Sequence, residues 1–167
     1  MSMTYSPKTA MTPKEIEKFL AGKHVIRVAT IRKDGSPHVS PLWYYWDGAY
    51  LWLVLGRGAH PRAHINNLRR DPRMEAVIDI DLRLTRGSNA DCKGVLLRGK
   101  VELSENPKLQ REMTEKILRK FLGSKGARFT NGALADGAKG LNRVVVKMKP
   151  DIILGWDMRR LGGYAPS

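Results

Sequence analysis

Apolar and polar side chains alternate in three stretches near the start of the chain, His24 to Arg32, Pro37 to Trp46 and Ala49 to Leu55, with Asp34-Gly35 and Asp47-Gly48 between them. A period of two marks β-strands, and Asp-Gly between such stretches marks tight hairpin turns, whose central residues need positive φ. The pattern predicts three antiparallel strands in series. Met74, Ala76, Ile78 and Ile80 then alternate with Glu75, Asp79 and Asp81, and Val95, Leu97, Val101 and Leu103 with Arg98, Lys100 and Glu102, giving two more strands. Val144, Val146 and Met148 alternate among basic residues, and beyond Pro150 the run Ile152-Ile153-Leu154-Gly155-Trp156 reads as a last strand.

Helical spacing occurs in three places. Thr12-Pro13-Lys14-Glu15 supplies an N-cap, a proline at the first helical position and a capping-box glutamate; Ile16, Phe19 and Leu20 form the apolar stripe and Gly22 ends it. Ile65 and Leu68 mark a second helix that ends before Asp71-Pro72, and Asn106-Pro107 opens a third in which Leu109, Met113, Ile117 and Phe121 recur every four residues. Residues 123–140 contain five glycines and no period, which predicts a loop and a candidate cover for a site. The chain thus divides into a flexible start over 1–11, one domain over 12–157 and a tail over 158–167. Serial hairpins demand antiparallel pairing, and closing such a sheet hides its edges, so the expected fold is mainly β, a small barrel with peripheral helices.

Six of the twelve aromatic residues, Trp43, Tyr44, Tyr45, Trp46, Tyr50 and Trp52, fall within ten positions of the strand region. Alternation sends them to both faces, so one face meets the core and the other needs a helix, a ligand or another subunit. A length of 167 residues suits one domain with an ordinary core. The lone Cys92 forms no internal disulfide, no apolar run reaches a membrane span, and Met1 to Lys23 holds no signal-peptide core; the cytoplasm is the expected compartment. Thirty Lys and Arg against sixteen Asp and Glu give a net charge of +14, which attracts nucleic acid, phosphorylated cofactors, polycarboxylates or a membrane surface. The basic residues run from Lys8 to Arg160 without a dense tract, so a solubilising coat explains them as well as a nucleic-acid footprint does.

The junction Gly56-Arg57-Gly58-Ala59-His60-Pro61-Arg62, between a strand and a helix, carries the most chemistry. Glycines admit a ligand close to the backbone, a helix start offers free N–H groups, and Arg57 and Arg62 add fixed charge, a combination suited to phosphate. The third glycine of a dinucleotide fingerprint and the Gly-Lys-Ser/Thr of a Walker loop are both lacking. His60 and His64 have metal-ligand spacing, but Pro61 stands where a glutamate would and no third ligand is near, so no metal is expected. His24 and His38 read as structural or surface histidines. No Gly-x-Ser-x-Gly, Ser-x-x-Lys or Cys-His arrangement occurs, so no catalytic side chain is assigned and any redox chemistry falls to a cofactor.

The segments Val28 to Pro41, Trp43 to Gly48, Pro61-Arg62-Ala63, Asn67 to Arg73 and Arg143 through Pro150 to Asp157 together resemble the pyridoxamine 5'-phosphate oxidase-like, flavin- and deazaflavin-binding split-barrel family. The resemblance implies a six-stranded antiparallel split β-barrel, a homodimer with cofactor sites at the subunit interface, and FMN or the deazaflavin factor 420 as cofactor. It places the basic pair for the cofactor phosphate on Arg62 and His64, the latter standing where the family usually has lysine, with Arg57 and Gly58 beside them. Ser40, Pro41, Leu42 and Trp43 match the stretch that lies along the ring. The implied activity is hydride transfer between that ring and a small organic substrate. The positive charge and the Arg-Arg-Asp-Pro-Arg stretch favour factor 420, and the tail lacks the Arg-x-His pattern of pyridoxamine phosphate oxidation itself. A non-catalytic flavin carrier or sensor, and a basic nucleic-acid-binding barrel, are the alternatives; neither nucleic acid nor membrane is the expected partner.

Overall fold

In the computed structural model, which describes residues 6–56, 63–81, 92–126 and 143–161, both Asp-Gly turns form: Gly35 and Gly48 adopt φ of 84° and 98°. The first turn joins β1 (Ile26–Ile31) to β2 (Pro37–Leu42), and the second joins β3 (Tyr45–Trp46) to β4 (Leu51–Gly56). The three-strand series expected from the pattern is not what forms, because the stretch Pro37 to Trp46 divides at Trp43-Tyr44. Among the described residues β2 pairs only with β1 and β3 only with β4. With β5 (Arg73–Asp81), β6 (Cys92–Ser104) and β7 (Arg143–Asp157) the described residues form a sheet of seven strands in the order β2-β1-β5-β6-β7-β4-β3, one more than the six expected.

This order puts β2 and β3 at opposite edges although only Trp43 and Tyr44 separate them in the chain. Three Cα–Cα steps span at most about 11 Å. The sheet therefore curls until its edges meet at that point, which makes it a barrel left open along one seam, the split barrel implied by the resemblance. Ile26, Val28, Leu51, Leu53, Ile78, Val95, Leu97, Val144, Val146 and Met148 fill its interior. Alternation puts them all on the inner face.

The two final strands expected on either side of Pro150 are one continuous β7. A register shift between Arg98 and Gly99 of β6 lies opposite Pro150, and a bulge tolerates a residue with no N–H to donate. Gly99 is required there, since a Cβ would stand 2.8 Å from the Lys149 carbonyl oxygen. The flexible start also needs correction. Ala10 bridges Trp156, Met11 donates to the Gly155 carbonyl and Asp157 to the Thr9 carbonyl, so residues 9–11 extend the sheet beside the end of β7.

Among the described residues three helices pack around the barrel: α1 (Pro13–Leu20), with the capping box of Thr12 and Glu15; α2 (Ala63–Arg70); and α3 (Pro107–Leu122), capped by Asn106. α3 lies over β3, β4 and β7. The tail begins as a 3₁₀ turn over Met158–Leu161. Of the loop expected at 123–140, the part from 127 onward lies outside the described residues. Among the described residues no helix is long and apolar enough to cross a membrane.

Tyr44 fastens the strand switch. It is 0% exposed, its hydroxyl donates to the Leu20 carbonyl at the end of α1 (2.9 Å), and the Lys120 ammonium donates to the same oxygen (2.8 Å). Lys120 Nζ also lies 3.4 Å from the centre of the Tyr44 ring, a cation–π contact that favours the charge while burial opposes it and lowers the Lys120 pKa to about 8. Below that pH the folded and unfolded chains both hold the proton; above it, up to the ordinary 10.5, only the unfolded chain does. Stability from this residue therefore rises with pH across that window. In urea denaturation, wild type gains on Lys120→Met between pH 7 and pH 10, and an unchanged difference would show the ammonium to be solvated. Tyr44→Ala costs about 3–5 kcal/mol and Tyr44→Phe about 1 kcal/mol, also by urea denaturation; a Tyr44→Ala loss no larger than that of a surface substitution would remove Tyr44 as the fastening.

Candidate functional site

β2 is an edge strand, and its alternation sorts its residues cleanly. His38, Ser40 and Leu42 are half-buried, whereas Pro37, Val39 and Pro41 face outward, Val39 at 59% exposure. Its main chain is sorted too. The Arg32 amide donates to the Ser36 carbonyl (2.8 Å) and closes the hairpin. Antiparallel pairs alternate from such a closure between bonded and non-bonded, so His38, Ser40 and Leu42 exchange hydrogen bonds with Thr30, Val28 and Ile26. Pro37, Val39 and Pro41 turn their main-chain groups away from β1. Proline fits these positions because no ladder bond is asked of it.

Where β2 ends, Val25, Pro41, Leu42 and Trp43 line a cavity of about 400 Å³. Trp43 is 41% exposed and stacks on Phe121 of α3, ring centres 4.7 Å apart and planes 4° from parallel, with Tyr44 edge-on to the same Phe121. One face of the indole is thus fixed. Three of the four residues matched to the ring-lying stretch, Pro41, Leu42 and Trp43, come together on this wall. Ser40 is not among its lining residues; its side chain turns to the same side as that of His38. Val25 was not anticipated, and only the pairing of Ile26 with Leu42 brings it beside Trp43.

His64, the second residue of α2, is buried with its ring centre 6.1 Å from that of His38. His38, read from sequence as a structural or surface histidine, is therefore part of the region around the start of α2, and its Nδ1 is buried with no hydrogen-bond partner among the described residues. Its position two residues before Ser40 was the available signal. α2 is tied down by Asn67, which donates to the Thr30 hydroxyl (3.0 Å), and by Arg70, which donates to the Ile31 carbonyl. Thr30 in turn donates to the His38 carbonyl (3.4 Å). The candidates Arg57, Gly58 and Arg62 lie outside the described residues.

A second cavity, about 420 Å³, opens beyond the other end of β2 over Ala29, Ile31, Pro37 and Met74, with Arg73, Arg98 and Lys100 around it. Much of that charge is already matched: Arg98 holds Glu75 through bonds of 2.9 and 3.1 Å, and Arg73 holds Asp71, whose carboxyl is thereby lowered to about 2. Taken together, an apolar wall, a main-chain edge that no described strand pairs with and imidazoles near a helix start suit the binding and orientation of a flat group with an anionic tail. Both cavities have the volume usual for small-molecule sites.

The family model described as pyridoxamine 5'-phosphate oxidase matches residues 12–157. Among solved structures, a conserved hypothetical protein of Mycobacterium tuberculosis is similar over 99% of this chain and 95% of its own, at 24% identity and a TM-score of 0.76. An FAD-binding protein of Mesorhizobium loti matches at 25% identity and a TM-score of 0.59, covering 87% of this chain and 94% of its own. A factor-420 reductase matches at 20% identity and a TM-score of 0.52, covering 82% and 94%.

Asn67→Ala leaves the Thr30 hydroxyl without its donor and loosens α2 from β1. The expected loss is about 1–3 kcal/mol in thermal or urea unfolding, with faster amide exchange in α2 than in β6. Uniform exchange across both elements would show that Asn67 does not tether the helix.

Proposed function

The chain belongs to the pyridoxamine 5'-phosphate oxidase family, and from that membership we propose that it is an oxidoreductase which binds FMN or factor 420 against β2 and passes hydride between that ring and a small organic substrate. The observation that carries the reading is the cavity walled by Pro41, Leu42 and Trp43 beside an edge strand. Its apolar surface and the braced indole suit a flat tricyclic ring, and its volume suits one ligand. The bound ring supplies the hydride chemistry, so the protein need provide no nucleophile or base.

The protein's own groups bind and orient. Trp43, held parallel by Phe121, sets the plane against which the ring lies. Arg62, with Arg57, Gly58 and His64, holds the anionic tail near the start of α2, and Ser40 serves the same strand. The net charge of +14 favours factor 420, whose tail adds carboxylates to a phosphate.

A homodimer completes the proposal. Val77, Leu96 and Leu154 form one cross-strand row on the outer face of β5, β6 and β7 and are only half-buried. A second copy would cover that row. The nucleic-acid alternative is weakened by pairing: Arg27, Arg69, Arg73, Arg98, Arg119, Arg159 and Arg160 each face a carboxylate. The carrier alternative predicts binding without turnover. The cytoplasm remains the proposed compartment.

Titration of the purified protein with FMN and with factor 420 produces a perturbed bound spectrum for at least one of them, and Arg62→Ala weakens its retention by roughly 1–3 kcal/mol. No binding of either at tens of micromolar rejects the proposal, and binding with no turnover across quinones and enones reduces it to a carrier. Leu96→Glu shifts the protein from dimer to monomer in light scattering; a wild type that is already monomeric contradicts the dimer.

A further inference from the structure

We infer that Lys120 is a positioning residue for the Trp43 cavity, its charge straining the turn of α3 that braces the indole and so keeping that wall yielding at neutral pH. This control acts on the site of the proposed function and rests on that reading only for the identity of what fills the cavity.

α3 meets the strand switch residue by residue. Lys116 Nζ lies 5.4 Å from the centre of the Tyr45 ring, Lys120 Nζ lies 3.4 Å from that of Tyr44, and the Phe121 ring stacks on Trp43. Three consecutive aromatic residues are thus held within two turns of one helix. Lys120 and Phe121 are adjacent in the last turn, so they dock or leave together. When they leave, the indole that lines the cavity with Val25, Pro41 and Leu42 loses its brace.

The two contacts pull in opposite directions. Phe121 on Trp43 is apolar stacking, which favours the docked turn. Lys120 carries an ammonium into a half-buried place where, among the described residues, no carboxylate pairs with it. Glu17 of α1 is taken by Trp46 Nε1 (2.7 Å), and Glu112 by Lys116 (2.7 Å). Burial, with Lys120 and Lys93 nearby, holds the His24 imidazole below its ordinary 6.5, so it stays neutral above pH 7 and adds no charge. Burial also pushes the Tyr44 hydroxyl well above its ordinary 10, so Tyr44 supplies no anion. The Leu20 carbonyl and the Tyr44 ring are what Lys120 has in exchange for water, and its pKa falls to about 8.

A released turn returns the ammonium to water and to its ordinary 10.5. Below pH 8 docked and released forms both hold the proton, and docking carries the full cost of burying it. Above pH 8 the docked form sheds the proton first, so docking strengthens as pH rises toward 10.5. Lys120→Met removes the cost at every pH, whereas Lys120→Arg retains it.

The test uses ligand-free protein containing 5-fluorotryptophan, with the Trp43 fluorine resonance assigned by its loss in Trp43→Phe. In relaxation dispersion, the exchange broadening of Trp43 in wild type falls about tenfold from pH 7 to pH 9. Lys120→Met shows the small broadening at both pH values and Lys120→Arg the large one, while the Trp156 resonance stays constant. Broadening of Trp43 that is absent at pH 7, equal at pH 7 and pH 9, or shared by Trp156 overturns the inference. The wild-type comparison decides even if a variant does not fold. No cofactor enters the measurement, so a failure here leaves the proposed function standing, and a protein that binds neither FMN nor factor 420 loses that function without touching this result.

Discussion

A two-residue link between strands at opposite edges of one sheet governs this molecule. Trp43 and Tyr44 give the chain too little length to cross an open sheet, so the sheet curls and its edges meet where they stand. Tyr44 turns inward and is bonded to the end of α1, while Trp43 turns outward and stacks on α3. The residue that closes the barrel and the residue that walls the cavity are thus neighbours, and the fold's main constraint also positions its candidate site.

The open seam creates a hazard as well as a site. An exposed strand edge invites pairing with other chains, and β2 answers with proline at two of its three outward positions. Because those positions face away from β1, the prolines cost the sheet nothing. What they leave is a single outward N–H at Val39, too short a row for another strand to extend.

Much of this was legible one element at a time. The Asp-Gly turns, the Thr12–Glu15 capping box and the Asn106 cap rest on local chemistry, and local chemistry can be read from neighbouring residues. The cavity wall of Pro41, Leu42 and Trp43 was also accessible, since it is one contiguous stretch of the chain. Val25 and His38 were not. Each enters the site through a partner distant in sequence, Val25 through the Ile26–Leu42 pairing and His38 through the packing of α2.

By itself the sequence determined the β-rich composition of the barrel, the positions of its tight turns and helix starts, and the family pattern that runs through them, because each depends on residues within a few positions of one another. Only the tertiary structure decided that Pro37 to Trp46 is two strands on opposite edges, that Pro150 interrupts nothing, and that residues 9–11 join the sheet. Those outcomes depend on which strand lies alongside, and a period of two is the same whichever neighbour a strand finds.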